Sequence, residues 1–412
     1  MNKKPRILFL IPDFPRISET FIVNQMVYLL DRGYDIAILS WGTLKHPPHP
    51  KVIQYDLLAK TTYVNIPDSA LKRLACFIKT CIRNPSRNHI RALNIFRFKI
   101  DALKLKVFYK LLAFNRLGSD FDIVHAHFGF MSDFFFKGKY LGFFEKSKLI
   151  TTFHGYDMMP NELALNRKRY KELFANNTLI TVNNDFGKSL ILNINPHYRR
   201  IKLLPVGLDT QYYKPSKAKT IAEFTNVLFC GRLIPLKGCD ILIKIAHILI
   251  NDRQIKSLRF HIVGNGKELG NLKKLVNKYN LENHITFSGF KTQEQIIRIM
   301  EESDLFLLPG IVDDDGRAET QGLVIQEAQA MCLPVIVSDA GGMKYGVENG
   351  INGFVVPERD EEGFADKIEL LVHNTDLRKK MGEAARNFVV DNFDSKVLGE
   401  KLEKYYCEVL AG

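Results

Sequence analysis

No stretch of this 412-residue chain comes near the ~18 uninterrupted apolar positions of a membrane-crossing helix, so no span is expected. The first apolar run, 7–11, follows basic residues but halts at Pro12 and Asp13. It is too short for the core of a secretory signal and reads as the first strand of a folded domain. Six cysteines (Cys76, Cys81, Cys230, Cys239, Cys332 and Cys407) lie far apart, with no C-x-x-C pair and no histidines at zinc-ligand spacing beside them. They are expected to be reduced and mostly buried, which suits a cytoplasmic location. The first strand–helix turn lacks the G-x-G-x-x-G of dinucleotide-binding domains, which argues against a nicotinamide enzyme. Acid is missing from one segment. Between Lys60 and Arg116, thirteen Lys or Arg face only Asp68 and Asp101, which accounts for nearly all of the chain's net +13.

What is present is ordinary globular material: 46% hydrophobic and 25% charged residues, incompatible with global disorder. At roughly 150 residues per domain the length holds two domains, with room for a third. Near-continuous apolar runs at 7–11, 36–39, 123–125, 149–153, 179–182 and 201–204 have the look of buried parallel strands, with helical stretches between them. The rhythm restarts after Pro205 with runs at 227–229, 259–263, 285–287, 305–308, 335–337 and 354–356. Two βαβ series predict an α/β fold of two doubly wound, parallel-sheet, Rossmann-like domains facing across a cleft. The expected bounds are 1–207 and 208–390, with a hinge near 210 and a helical tail within 391–412. The basic segment, about 60–116, is an insertion, with amphipathic helices expected at 71–82 and 93–114. Such helices suit an anionic membrane surface; packing on their own domain is the plain alternative. No aromatic stacking platform or nucleic-acid motif accompanies the charge, so no nucleic-acid partner is expected.

The chemistry gathers at strand ends. After the seventh run, the turn 231–238 carries Arg232 and Lys237 beside an incipient helix, a pattern that can hold a diphosphate or be a solvated pair. Glu319 precedes a helix and Glu327 lies inside it, while Gly322 and Leu323 offer free amides at its start. Glu319 could bond sugar hydroxyls or cap that helix near Thr320. Gly264 and Gly266 mark a tight turn whose amides could also meet a ligand. The loop Asp313 to Asp315 is expected to face water rather than hold a metal. In the first half, His127 and His154, with Asp157 following, stand where strands end, the usual ligand side of an open parallel sheet. Ser18 or Thr20 would cap the first helix.

Together the segments 18–22, 125–129, 152–157, 205–209, 231–238 and 319–327, with Gly341 and Gly342, resemble the family-4 retaining glycosyltransferases of the two-Rossmann-domain (GT-B) type. The resemblance spans essentially the whole chain and is nearest to the bacterial exopolysaccharide and colanic-acid branch. It implies that Arg232 and Lys237 hold the diphosphate of a nucleotide-sugar donor, that Glu319 meets the transferred sugar, and that Glu327 meets the ribose. His154 would line the sugar pocket from the first domain, with Ser18, Glu19, Thr20, His127 and Asp157 on the side of a lipid-linked or glycan acceptor. The resemblance also implies that the helix within 391–412 returns to the first domain; no metal and no cofactor is expected, and the enzyme would work at the inner face of the cell membrane. Two departures stand out: Tyr345 occupies a position where many relatives have glutamate, and Thr320-Gln321 replaces the commoner Gly-Phe. A nucleotide-sugar epimerase on the same framework, or a non-catalytic sugar-nucleotide or membrane-binding module, are the competing readings.

Overall fold

The computed structural model describes residues 4–16, 19–42, 48–216 and 223–412. Its two parallel sheets match the two predicted series. In the first sheet, β1 (Arg6–Asp13), β2 (Asp35–Gly42), β3 (Thr61–Tyr63), β4 (Ile123–His127), β5 (Lys148–Thr152), β6 (Leu179–Val182) and β7 (Ile201–Leu203) run in the order 3-2-1-4-5-6-7. The second sheet holds β8 (Thr225–Cys230), β9 (Leu258–Val263), β10 (Ile285–Gly289), β11 (Leu305–Leu308), β12 (Val335–Ser338) and β13 (Gly353–Val356), in the order 10-9-8-11-12-13. Helices cover both faces, so the central strands are buried on both sides, as with Ile7 to Leu10 and Leu305 to Leu308. Each sheet reverses its strand order once, between β1 and β4 and between β8 and β11. Ligands of open parallel sheets bind outside the carboxyl ends of the strands at such switch points.

The last helix, Ser395–Ala411, leaves the second lobe and packs on the helix Thr20–Asp31 of the first. It seats Leu402, Tyr406 and Val409 in the first lobe's core. Tyr406 Oη lies 2.8 Å from His125 Nδ1, and the Tyr28 hydroxyl donates to Glu403 at 2.9 Å.

The basic segment differs in part from expectation. The helix Ala70–Arg83 forms but buries none of its residues, and Leu71 and Ile82 are 79% and 76% exposed. The predicted helix over 93–114 is broken into Ile95–Phe98, Ile100–Leu103 and Lys106–Leu117, with Lys99 and Leu105 at positive φ between them. A straight helix through these residues would carry apolar side chains on every side. The chain kinks twice instead, burying Phe98, Ala102 and Val107 while Phe96, Ile100 and Leu103 face outward. Among the described residues no helix is long and apolar enough to cross a membrane.

Candidate active site between the lobes

The carboxyl ends of the two sheets enclose a cavity of about 840 Å³ lined by His154 and Tyr156 from the first lobe and by Arg232, Asp313, Glu319 and Thr320 from the second. Its second-lobe wall begins where β8 ends. The chain turns through Arg232, which is exposed and carries no ion pair among the described residues, into a short turn Pro235–Lys237 and the helix Cys239–His247. Lys237 Nζ donates to Glu319 Oε2. Burial alone would push the Glu319 carboxyl up. The Lys237 ammonium, Arg232 and the Gly322 amide outweigh it and hold the group below the usual carboxylate range, so Glu319 is an anion at neutral pH. Gly322, at φ 76°, starts the helix Leu323–Ala330, whose first amides have no side-chain cap. One turn on, Glu327 is half-buried and accepts the Tyr213 hydroxyl at 2.8 Å. Burial raises its carboxyl, and that hydrogen bond opposes the rise.

On the facing wall, Asp157 folds the loop after β5. Its carboxylate accepts the amides of Gly129 (2.7 Å), Gly155 (2.9 Å) and His154 (3.1 Å). Those donors fix where His154 stands. His154 Nε2 lies 3.1 Å from His127 Nδ1, the two ring planes nearly parallel, and burial drives His154 down to about 3 and His127 well below its ordinary value. Both imidazoles are therefore neutral, one ring donating to the other. This corrects two expectations: His127 and Asp157 are sealed within the lobe and position His154, rather than meeting an acceptor. Glu19, at the start of the first helix, is also nearly buried; burial raises its carboxyl to about 7 against the pull of Arg16 3.1 Å away. Glu19 occupies the cap position without a capping hydrogen bond and Thr20 is the first helical residue, so Thr20 is not the cap. Ser18 lies outside the described residues.

Gly264 and Gly266 have a packing role. A Cβ on Gly264 would sit 1.8 Å from the Gly231 carbonyl oxygen, and one on Gly266 2.2 Å from that of Leu233. They let the turn after β9 lie against the turn that carries Arg232. Asp313 and Asp315 accept the Arg317 guanidinium at 2.7 and 3.0 Å. No group of three or more His, Cys, Asp or Glu is placed to hold a metal ion among the described residues.

Sequence reasoning missed the residues that hold the lobes together. The Thr320 hydroxyl donates to the His154 carbonyl at 2.9 Å, and Asn184 Nδ2 donates to the carbonyls of Thr320 (2.7 Å) and Gly342 (3.2 Å). Gln321, fully within the protein, clasps Val206 from both sides: it accepts the Val206 amide at 2.7 Å and donates to its carbonyl at 2.8 Å. Thr320-Gln321 is the departure noted in the motif, and it is the part of the motif that touches the other lobe. That coincidence was the available signal.

Residues 215–388 match the family described as glycosyl transferases group 1. The chain is 28% identical to the amylovoran biosynthesis glycosyltransferase AmsK of Erwinia amylovora, over 92% of this chain and 91% of that one. It is 26% identical to a chain named as the colanic acid biosynthesis glycosyltransferase WcaL of Escherichia coli K12, over 96% and 98%. Among solved structures, a glycosyltransferase from Rickettsia africae superposes with a TM-score of 0.71 at 21% identity, covering 99% of both chains. Anabaena HepE, solved in complex with UDP, superposes with a TM-score of 0.70 at 17% identity, over 98% of this chain and 100% of that one. The group 1 glycosyltransferase domain at 215–388, the similarity to the AmsK and WcaL glycosyltransferases along nearly the whole length and the paired parallel sheets agree, and the chain has the GT-B architecture.

Proposed function

We propose that the protein transfers a sugar from a nucleotide-sugar donor to a lipid-linked or polysaccharide acceptor in cell-surface polysaccharide synthesis, with retention of anomeric configuration and without a metal. The observation that carries this reading is the Arg232–Lys237–Glu319 group on one wall of the cleft, with neutral His154 on the other. Breaking the anomeric C–O bond leaves its electron pair on the distal phosphate of the nucleotide. Arg232 and Lys237 meet that charge as it develops, and the uncapped amides at Leu323 add to it. When a diphosphate draws Lys237 away, the Glu319 carboxylate becomes free to accept hydroxyls of the transferred sugar. His154, held neutral, donates or accepts a hydrogen bond without adding charge. The acceptor oxygen attacks from the face the phosphate leaves, and its proton passes to that phosphate. The cleft walls exclude water, which limits donor hydrolysis.

The relatives named for amylovoran and colanic acid synthesis support the polysaccharide context. Membrane contact is supported by the exposed apolar residues of the basic segment, since each Lys or Arg near an anionic surface adds about 1 kcal/mol. The test is transfer from a panel of UDP-, GDP- and ADP-sugars to membrane lipid extracts. Arg232→Ala is expected to lower kcat/KM about 100-fold or more with the melting temperature unchanged. Full activity in that variant overturns the diphosphate assignment. Association with anionic vesicles is expected and should weaken as salt rises; equal binding to neutral vesicles would overturn the electrostatic part.

A further inference from the structure

The strand order 3-2-1-4-5 lines up the carboxyl ends of five strands along one edge of the first lobe, and a run of rings follows that edge away from the cleft. Tyr156, after β5, lies 6.0 Å from Phe130, after β4; Phe130 stacks on Trp41, at the end of β2, with centroids 5.6 Å apart and planes 15° apart. Phe128 backs the first step, 4.9 Å from Tyr156 and 4.7 Å from His154. Trp41 and Tyr156 are 40% and 45% exposed, and Phe130 is half-buried between them. Tyr156 also lines the inter-lobe cavity, so the run begins at the proposed reaction centre.

At its far end the run enters a second cavity of about 680 Å³, lined by Trp41, Ile66, Pro67, Asp101, Lys106 and Lys110. Its charges are uneven. Lys137 takes Asp133 at 2.7 Å and Asp101 at 3.2 Å. Lys110 lies 3.6 Å from the shared Asp133, its ammonium 4.3 Å from the centre of the Phe134 ring. Lys106 has no ion pair among the described residues. Burial, and then Lys137, push Lys110 down to about 8, so it is still largely protonated at neutral pH. Arg73, on the exposed helix Ala70–Arg83, donates to the Pro67 carbonyl at 2.7 Å, which ties this cavity to the outward-facing basic segment.

We propose that Tyr156, Phe130 and Trp41 are the platform on which an oligosaccharide acceptor lies, and that the cavity beside Lys106 and Lys110 takes a phosphate at the acceptor's lipid-proximal end. This rests on the transferase reading above. Aromatic faces are electron-rich and attract the C–H edges of sugar rings, while their rigidity keeps the ordering cost low. A pocket with a few cations at the end of such a platform fixes which end of the glycan is which. The glycan's free end then lies at Tyr156 and His154, opposite the donor. Its anchored end lies next to the segment with exposed apolar and basic residues.

Trp41 is the chain's single tryptophan, so its emission reports on the far end of the platform, where it meets the second cavity. The probes are oligosaccharides of graded length from partial hydrolysis of the host's surface polysaccharide, each with and without a reducing-end phosphate. Inorganic phosphate and phosphatidylglycerol vesicles are run in parallel. Saturable change is expected with oligosaccharides long enough to reach from Tyr156 to Trp41, tighter when phosphorylated, and absent with monosaccharides. Lys106→Gln should remove the phosphate's advantage and leave the unphosphorylated series unchanged. Trp41→Ala should raise the acceptor KM about tenfold with the donor KM unchanged, and Trp41→Phe should restore it. Emission unmoved by every oligosaccharide overturns the track, and a response to inorganic phosphate or vesicles alone overturns the assignment of the cavity to the acceptor. Calorimetry of nucleotide binding on the same preparation separates the two claims. Absent donor binding sinks the transferase reading, whereas intact donor binding with a silent tryptophan sinks only the track.

Discussion

Lys237 supports both the proposed chemistry and the fold, and the two roles can be separated. Lys237→Met keeps the length of the side chain and removes its charge, leaving the Glu319 anion in the cleft wall without its hydrogen-bonded cation. Breaking a buried pair by removing one partner costs about 3–5 kcal/mol. Arg232 and the Gly322 amide still face Glu319, so the lower end, about 3 kcal/mol, is expected. For a lobe of this size each kcal/mol moves the midpoint by roughly 2–4 °C, so the transition should fall by roughly 6–12 °C at pH 7.5. The sign of the pH dependence follows. In the wild type the carboxyl is held below its ordinary value, so its contribution is present above that value and is lost as pH falls through the folded pKa. In Lys237→Met the carboxyl rises, so the defect should shrink as acid protonates it. Lys237→Met/Glu319→Gln should therefore recover most of the midpoint while transfer stays at least about 100-fold down, because the diphosphate has lost a cation. Scanning calorimetry and radiolabelled transfer read the two effects. A wild-type midpoint in Lys237→Met, or no recovery in the double variant, would refute the reasoning.

Glu19→Gln tests burial of the other carboxylate. Because burial raises Glu19 to about 7, its stability contribution is complete below 4.5 and is lost as pH rises through 7. The variant should melt higher than wild type at pH 8, by at most about 3 kcal/mol of stability, and equal to it at pH 4; a lower midpoint at pH 8 counts against this. Gln321→Ala strands the amide and carbonyl of Val206 and should cost about 2–4 kcal/mol. It should also let the two lobes melt separately, so a single unshifted calorimetric transition would contradict the clasp.

The strands were readable because parallel strands covered on both faces are apolar almost without interruption; β3 escaped because Thr61, Thr62 and Tyr63 are only half-buried at the sheet's edge. In the basic segment the composition was legible and the geometry was not. Apolar residues at helical spacing do not reveal that they lie on every side of the axis, and the breaks at Lys99 and Leu105 follow from that. Within the cleft, the turn carrying Arg232 and Lys237 and the helix-start Glu319 were visible as local patterns, and the fold brings Lys237 onto Glu319. The contacts of Asn184 and Gln321 were not legible, since they bind main-chain atoms of segments more than a hundred residues away, which leave no imprint on residue type. His127 and Asp157 were recognised as special for the right place but the wrong reason: strand ends also need groups that hold the loop carrying the working residue.

The chain passes between the lobes twice, and the passages lie side by side. Leu208 donates to the Phe393 carbonyl at 3.0 Å, Ser395 donates back to Leu208 at 2.9 Å, and Thr210 Oγ1 binds Asp394 at 2.5 Å. Two tethers stitched at one edge resist shear and stretching but permit swivelling about the line they define, much as a door is held by its jamb. Rotation about that line would separate Thr320 from the His154 carbonyl and Asn184 from the Thr320 carbonyl, so the wall of the sugar pocket depends on the angle between the two halves.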